Sequence, residues 1–455
     1  MKYGNRNINM VQGPLFTSII RYTLPIIATG LLQLLFNAAD LVVVGQFCGS
    51  ISVAAVGTTA SITSLMINFF IGLSVGVGVA VAQAIGAKED TQVYRTVHTV
   101  LPLVLICGGV LTVLGFAGSQ QFLIWMGTPD DVLPLSTVYM QIIFGGVTFS
   151  LAYNFLAAIL RAAGDTKSPL IFLTIAGVAN VVLNVIFVTL FHMNVAGVAL
   201  ATVLSQALSA VLTLRALMRR TDACQLRISE SRIYVAPLKR IVQIGLPAGI
   251  QSSLFSISNV LIQSSINSFG AVVMSGNAAA QNIDGFIGTA INGFHQAAVN
   301  FTGQNVGAKQ YDRVRKVLGI CLGCGVVTGM LLSAVIYAFG PQLLSIYIND
   351  SAEAITYGMI RLTYLGLPYC CCALMDVSTG ALRGMGASAA PMLISVLGIC
   401  GFRVVWIYTI FSIPAFHTLP VLYISYVVSW LVTAAAELIA FVLLYRKQRR
   451  AVLRG

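Results

Sequence analysis

The sequence predicts an all-α integral membrane protein of twelve transmembrane helices, arranged as two parallel six-helix repeats. Three observations carry that expectation. First, 57% of the residues are hydrophobic, only 9% are charged, and the mean hydropathy is +0.89; soluble domains hold roughly 25% charged residues. Second, of the 26 Lys and Arg, all but Arg361 and Arg403 fall at the termini or in every second connection between apolar runs. Third, three sequence islands occur twice in nearly the same register. Leu24-Pro25 returns as Leu246-Pro247, and Gln83-x-x-Gly86-Ala87-Lys88 returns as Gln304-x-x-Gly307-Ala308-Lys309. Leu160-Arg161-x-x-Gly164-x4-Pro169 returns as Leu382-Arg383-x-x-Gly386-x4-Pro391, 222 residues later (383 − 161). The chain reads as two copies of one unit, with its function at their interface.

Breaking the apolar runs at charges and at Gly/Pro/Asn clusters gives the elements in order. The first half yields spans near 15–45, 52–84, 96–117, 132–159, 168–190 and 196–217. The second yields 240–267, 273–306, 316–339, 354–382, 388–413 and 418–445. Each exceeds or approaches the ~20 apolar residues that cross a bilayer. Residues 1–218 form one lobe, 219–239 a basic linker and 240–455 the other lobe. Six spans per copy start both copies on the same side, so the repeats are parallel. The first span, from Leu15 and containing Asp40, reads as a retained helix and not a cleaved signal.

The basic clusters are Lys2, Arg6 and Arg21; Lys88 and Arg95; Arg161 and Lys167; Arg215 through Arg240; Lys309 through Lys316; Arg383; and Arg446 through Arg454. The alternate connections, such as Cys48–Ser52, Gly118–Asp131 and Phe191–Val195, have none. This is the positive-inside pattern of the plasma (inner) membrane, with both termini cytoplasmic. It is not the continuous basic face that binds nucleic acid.

Other chemistries find little support. The nine cysteines, Cys370-Cys371-Cys372 among them, lie mostly in apolar spans, and the four histidines are scattered without ligand spacing; small buried packing residues are expected, not a metal site. Gly72-Leu-Ser74-Val-Gly76 matches the hydrolase elbow but sits in a helical run, not at a strand-to-helix turn. No Gly-Lys dipeptide exists, so there is no phosphate loop of the Walker type and no built-in ATPase. No enzyme and no cofactor is expected. Gly72-x3-Gly76, Gly319-x3-Gly323 and Gly325-x3-Gly329 are expected to let helices approach closely.

Four acidic residues lie inside spans: Asp40, Asp284, Asp376 and Glu437. A charge at the bilayer centre costs at least ~2.5–3.5 kcal/mol, which makes each a functional candidate. Gln33, Asn37 and Asp40 share one face of the first helix, and Asn180 and Asn184 share a face of the fifth. At ~1.5 Å per residue, Asp40, Asn184 and Thr202 lie about 8, 12 and 10 Å below the outer surface. One carboxylate, two amides and a hydroxyl at matching depth suit a proton or a small hard cation. In the second half Asp284 and Arg403 lie at about 16 and 15 Å, which suggests a buried ion pair. Asp376 occupies the repeat position of Asn154 (376 − 222), and both are expected to line a cavity with Gln33, Asp284 and Arg403. Arg361 is placed near the outer surface as a snorkelling side chain. Glu437, near the cytoplasmic end of its helix, has no assigned role.

Taken together these residues resemble the multidrug and toxic compound extrusion (MATE) family. The likeness rests on the twelve-helix double repeat, Leu24-Pro25 followed by Asn37-x-x-Asp40-x4-Gly45, the Gln83–Lys88 segment and Leu160-Arg161-x-x-Gly164-Asp165. Asn180-x3-Asn184 and Gly197-x4-Thr202 continue it, and it spans essentially the whole chain. The resemblance implies a V-shaped pair of lobes around a central cavity, exporting organic cations in exchange for H⁺ or Na⁺ by alternating access. It also implies that Asp40, Asn180 and Thr202 match the N-lobe cation site, and that Asp376 matches a C-lobe acidic position. Where many members carry a second carboxylate this chain has Asn184, which favours H⁺ over Na⁺ held by Asp40, Asn180 and Thr202. The expected partners are small organic cations and the lipid bilayer, with the chain working as a monomer. The rival reading is a lipid-linked oligosaccharide flippase of the same superfamily, whose cavity would be strongly cationic.

Overall fold

A computed structural model of the chain describes residues 7–348 and 351–454. Lys2 and Arg6, two of the residues in the charge pattern, lie outside the described residues, as do the side chains of Ser50 and Ser61. Among the described residues there is no β-strand. The first half folds as α1 (Leu15–Phe47), α2 (Ser50–Gly86), α3 (Asp90–Trp125), α4 (Leu133–Gly145), α5 (Val147–Ala162), α6 (Lys167–Val185) and α7 (Asn194–Met218). The second half folds as α8 (Val235–Asn267), α9 (Ala271–Gly307), α10 (Tyr311–Ala338), α11 (Gly340–Tyr347), α12 (Ala352–Arg361), α13 (Cys370–Gly384), α14 (Ala389–Ser395), α15 (Phe402–Tyr408) and α16 (Leu419–Arg454).

Among the described residues ten helical stretches are long and apolar enough to cross a membrane, and α4 with α5, bent by 44°, makes an eleventh. The expected twelfth, α9, has the length but too many polar groups, including Asn277, Gln281, Asp284, Asn292 and His295. Of those groups Asn277, Asp284 and His295 are buried within protein, while Gln281 and Asn292 are exposed, Gln281 at the lining of a cavity. The exposed faces of other helices show the complementary, apolar pattern. On α3 the exposed residues Leu105, Ile106, Val110, Val113 and Leu114 form a stripe at helical spacing, and on α10 Val327, Met330, Leu331 and Val335 do the same.

The repeated islands turn out to be helix stops and kinks. Lys88 and Lys309 both take a left-handed backbone, with φ of 57° and 58°. Each closes the same pair of bonds: the N–H of Lys88 to the oxygen of Ile85 and that of Glu89 to Ala84, and the N–H of Lys309 to Val306 and that of Gln310 to Asn305. This is the Schellman helix stop. Gly164 (φ 90°) and Gly386 (φ 84°) repeat it at the ends of α5 and α13, where a left-handed backbone suits glycine. Pro169 and Pro391 sit in the first turns of α6 and α14, where the missing N–H costs nothing. The break at Gly146 also has a counterpart (146 + 222): α12 leads through a π-helical turn, Leu362–Gly366, and a 3₁₀ turn, Leu367–Tyr369, into α13.

The chain divides into two compact units, residues 1–9 with 28–249 and residues 10–27 with 250–455. These units differ from a cut at the linker. The opening turns of α1 belong with the second unit, and the linker together with the opening turns of α8 belongs with the first. The exchange obeys the repeat, since 27 + 222 = 249, and each boundary lies two residues past the proline inside the helix, Pro25 or Pro247. Within the first unit, α2 approaches α8 closely. A Cβ on Gly72 would lie 2.4 Å from Gly249 Cα, and one on Gly76 would lie 2.2 Å from the Ile241 oxygen. Gly325 and Gly329 likewise face α13, but Gly319 and Gly323 have open space around them, which corrects the expectation that all three pairs mediate packing.

The linker is docked on the start of α3. Arg220, buried, pairs with Asp222. His98, fully buried, accepts the N–H of Arg227 at 3.1 Å on Nε2 while Nδ1 contacts the Tyr94 oxygen at 2.8 Å. Thr99 Oγ1 accepts the N–H of Tyr234 at 3.2 Å, and Tyr94 hydrogen-bonds Glu230.

Candidate functional site

In the first unit, the face of α1 that carries Gln33, Asn37 and Asp40 borders a cavity of about 310 Å³, closed by α6 and α7 through Asn180, Thr202 and Ser205. Close approach of α1 and α6 depends on Gly177, whose Cβ would overlap the Phe36 ring. The polar groups form one chain. Asn184 Nδ2 donates to Asp40 Oδ1 at 2.5 Å and lies 3.3 Å from Asn180 Oδ1. Asn180 Nδ2 reaches Thr202 Oγ1 at 3.4 Å, and Thr202 donates to the Val198 oxygen at 3.0 Å. Asn184 is fully buried and its Oδ1 has no partner. None of the ion pairs among the described residues involves Asp40. At ~1.5 Å per residue Asp40 lies about 10 Å from the end of α1, Asn184 about 9 Å from the end of the turn that extends α6, and Thr202 about 12 Å from the start of α7. The structure therefore brings together all five residues expected there; Gln33 and Asn37 stand at the cavity mouth, exposed.

The second unit holds a cavity of about 260 Å³ lined by Asn259, Gln263, Asp284, Arg361, Tyr369 and Tyr426, among others. The expected Asp284–Arg403 pair is not formed. Asp284 Oδ2 is instead bridged at 2.9 Å by Nε of Arg361, whose Nη1 donates to Asn277 Oδ1 at 2.8 Å. Tyr423 donates to the same amide oxygen at 3.0 Å. The reason is depth. The helix bearing Arg403 ends at Tyr408, not near 413, which leaves Arg403 only about 8 Å deep against about 20 Å for Asp284 and 14 Å for Arg361. Arg361 is accordingly buried (6% exposed), not snorkelling. Arg403 lies 3.9 Å over the Tyr426 ring, with Nε donating to Ser429 at 3.1 Å.

Asp376 and Asn154 surround neither of these cavities. Asn154 Nδ2 returns to the Ser150 oxygen at 2.9 Å. The carboxylate of Asp376 faces the thiol of Cys372 at 3.9 Å, while its backbone oxygen contacts His295 Nδ1 at 2.6 Å. Sequence reasoning missed Asn277, Tyr423 and Arg361 as a network. The available signal was that Arg361 is one of only two cations outside the positive-inside pattern.

Comparison with known proteins agrees with this architecture. The MatE family model matches residues 25–186 and 247–409, one segment in each repeat. YpnP of Bacillus subtilis (strain 168), named a probable multidrug resistance protein, is 28% identical over 404 residues, 86% of this chain and 87% of its own. NorM of Thermotoga maritima, also named a probable multidrug resistance protein, is 24% identical over 388 residues, 84% of this chain and 82% of its own. A crystal structure of a MATE protein in complex with MaL6 has a TM-score of 0.91 at 21% identity, covering 98% of this chain and all of that one, and so shares the fold. With more than half of its residues matched in two repeat segments, this multi-pass membrane protein is a transporter, not an enzyme, and belongs to the MatE family.

Proposed function

We propose that the chain is a secondary antiporter that exports amphipathic or cationic small molecules, driven by inward flow of protons. It works as a monomer in the plasma membrane with both termini cytoplasmic. The naming of its relatives as multidrug resistance proteins supports the export of varied small molecules. One observation carries the proton coupling: Asp40, half-buried at membrane depth beside a cavity, is held by a neutral amide and no cation. A carboxylate kept ionised by an Arg partner would not exchange protons readily; one held by an amide can.

Asn184 suits both protonation states. As drawn, its N–H group donates to ionised Asp40, leaving Oδ1 unpartnered. Turning the amide over presents that oxygen to the O–H of protonated Asp40, so the hydrogen bond survives with its direction reversed. Protonation from outside removes the charge that holds a cationic substrate and biases the equilibrium between states by the difference in proton affinity. Sodium would need several oxygens around it, and the site offers a single carboxylate, with Asn180 and Thr202 bonded to each other.

The test is transport of a fluorescent organic cation, and separately of a labelled lipid, in proteoliposomes under independent pH and sodium gradients. Asp40→Asn is expected to insert normally and lose gradient-driven efflux at least tenfold. Wild-type efflux in that variant removes the role of Asp40, a response to sodium alone replaces the proton, and movement of the lipid in place of the cation favours the flippase.

A further inference from the structure

The second unit holds a carboxyl group that the proposed cycle does not use. Glu437 on α16 is fully buried. Its oxygens contact only hydroxyls: Thr379 Oγ1 of α13 at 2.7 and 2.9 Å, and Ser395 Oγ, the last residue of α14, at 2.9 Å. These are the only hydrogen bonds found for either hydroxyl among the described residues, so neither is occupied by its own helix backbone. A π-helical turn, Val396–Gly401, begins immediately after Ser395, the kind of helix irregularity that recurs at functional sites.

We propose that Glu437, with Thr379 and Ser395, is a second proton-binding site, loaded and emptied in each transport cycle. This rests on the antiport reading above and adds a proton to it. The partners decide the chemistry. An Arg or Lys bonded to a buried carboxylate fixes it as an anion, and an apolar pocket fixes it as the acid. Hydroxyls do neither, because each is both donor and acceptor. Two hydroxyls donate to the ionised carboxylate. When a proton settles on one carboxylate oxygen, one hydroxyl turns to accept it and the other still donates.

The charged neighbours are consistent with exchange. From α13, Asp376 and Arg383 act on Glu437 through space without bonding to it. Arg383 Nη2 is spent on Gln251 at 2.7 Å. Asp376 is partly buried and one turn from Thr379, a second carboxylate on the same helix that is less enclosed than Glu437. Arg361, on α12 and the turn that follows, is taken by Asp284, and Arg403 of α15 by Ser429 and Tyr426; α14 contributes no charged group. A metal ion is disfavoured by the same distances. The carboxylate and the two hydroxyls supply four oxygens at those distances, fewer than the roughly six to eight that hard cations gather.

The chain has only four glutamates, Glu89, Glu230, Glu353 and Glu437, and only the last is buried. Infrared or NMR titration of full-length protein labelled with ¹³C-glutamate therefore reads this carboxyl without any mutation. Its buried carboxyl signal is expected to convert between acid and carboxylate within the pH range in which transport runs, in wild type and in Asp40→Asn alike, and to vanish in Glu437→Gln. In proteoliposomes held at zero membrane potential, Glu437→Gln is expected to sustain an about tenfold smaller substrate gradient per imposed pH unit, one proton fewer per exchange. A signal frozen in one form throughout, a shift driven by sodium at fixed pH, or an unchanged gradient in Glu437→Gln overturns the proposal. Failure of Asp40→Asn to lose coupling would count against the first site and leave the titration of the second as a separate result.

Discussion

The two halves keep the same helix stops and differ in what they bury. Within its spans the first half isolates one acid, half-buried Asp40, among amides and a hydroxyl beside a cavity; its fully buried acid, Asp165, lies just before α6 and is bonded to Ser168. The second buries Asp284, Glu437, Arg361, Arg383 and Arg403, with Asp376 partly buried, and forms one direct ion pair among them. Adding 222 to the first-half site shows the divergence: Asp40, Asn180, Asn184 and Thr202 map onto Ile262, Phe402, Trp406 and Ile424. In the reverse direction Glu437, Arg403 and Asp376 map onto Arg215, Val181 and Asn154. Duplication preserved the positions that shape backbone and released those that carry chemistry. In a double repeat, polar residues that break the internal symmetry are the ones to suspect of function, because the fold alone does not require them.

The largest effect separating the halves should come from the ion pair that only the second half has. Arg361→Met leaves Asp284 buried, its Oδ1 already without a partner, and removes one of the two donors to Asn277 Oδ1. Removing one member of a buried pair costs about 3–5 kcal/mol. Arg403→Met removes a charge that has no carboxylate partner, so only a cation–π contact and hydrogen bonds are lost, about 2 kcal/mol or less. Thermal unfolding in detergent should therefore rank Arg361→Met well below Arg403→Met. Equal losses would mean that Arg403 pairs with an acid after all.

A smaller contrast lies just beyond the sixth span of each half. After α7 the chain leaves the helix and docks on α3, whereas α16 runs on to Arg454, and Gln448 and Arg449 meet Tyr311 and Asp312 of α10. The docked linker depends on ionised acids. A hydrogen bond from Tyr94, then one from Arg227, holds Glu230 below its ordinary value of 4.5. Burial alone would raise Asp222, but the hydrogen bond and charge of Arg220 outweigh it and hold the group below its ordinary value. A depressed folded value means stability that is present above the ordinary value and lost as pH falls through the folded one. Amide exchange across 227–234, corrected for intrinsic rate, should stay slow from neutral pH down to 4.5 and accelerate only below it. Tyr94→Phe should move that onset upward, and exchange that quickens near neutral pH instead would show that the acids are not what holds the linker.

Much of this was legible in the sequence, for definite reasons. Asp40, Asn180 and Asn184 were found because i, i+4 spacing fixes a helical face and counting residues fixes depth. The same counting failed for Arg403, where the helix stopped five residues early, and depth errors of that size decide which guanidinium reaches Asp284. Glu437 was visible but mute. Its partners are a threonine and a serine, residues so common in membrane helices that nothing in their spacing marks them. The break between α4 and α5, and the π-helical turns beside Arg361 and Ser395, also left no periodic signature, because an apolar helix reads the same with or without a bulge.

The smallest prediction concerns what the halves share. Lys88 and Lys309 each hold a left-handed backbone, a conformation that costs a residue with a Cβ about 1–2 kcal/mol. Glycine pays nothing there, so Lys→Gly should stabilise, offset by two losses. Glycine adds entropy to the unfolded chain, and the lysine's charge favours the helix C-terminus by roughly 0.3–1 kcal/mol. The net gain should be under about 1 kcal/mol and, because the hydrogen bonds are the same at both stops, nearly equal for Lys88→Gly and Lys309→Gly. Paired melting curves would read it as two small upward shifts of matching size. If only one lysine can be replaced without loss, the other does more than end a helix, and the symmetry of the backbone hides a difference at the helix ends as well as in the interior.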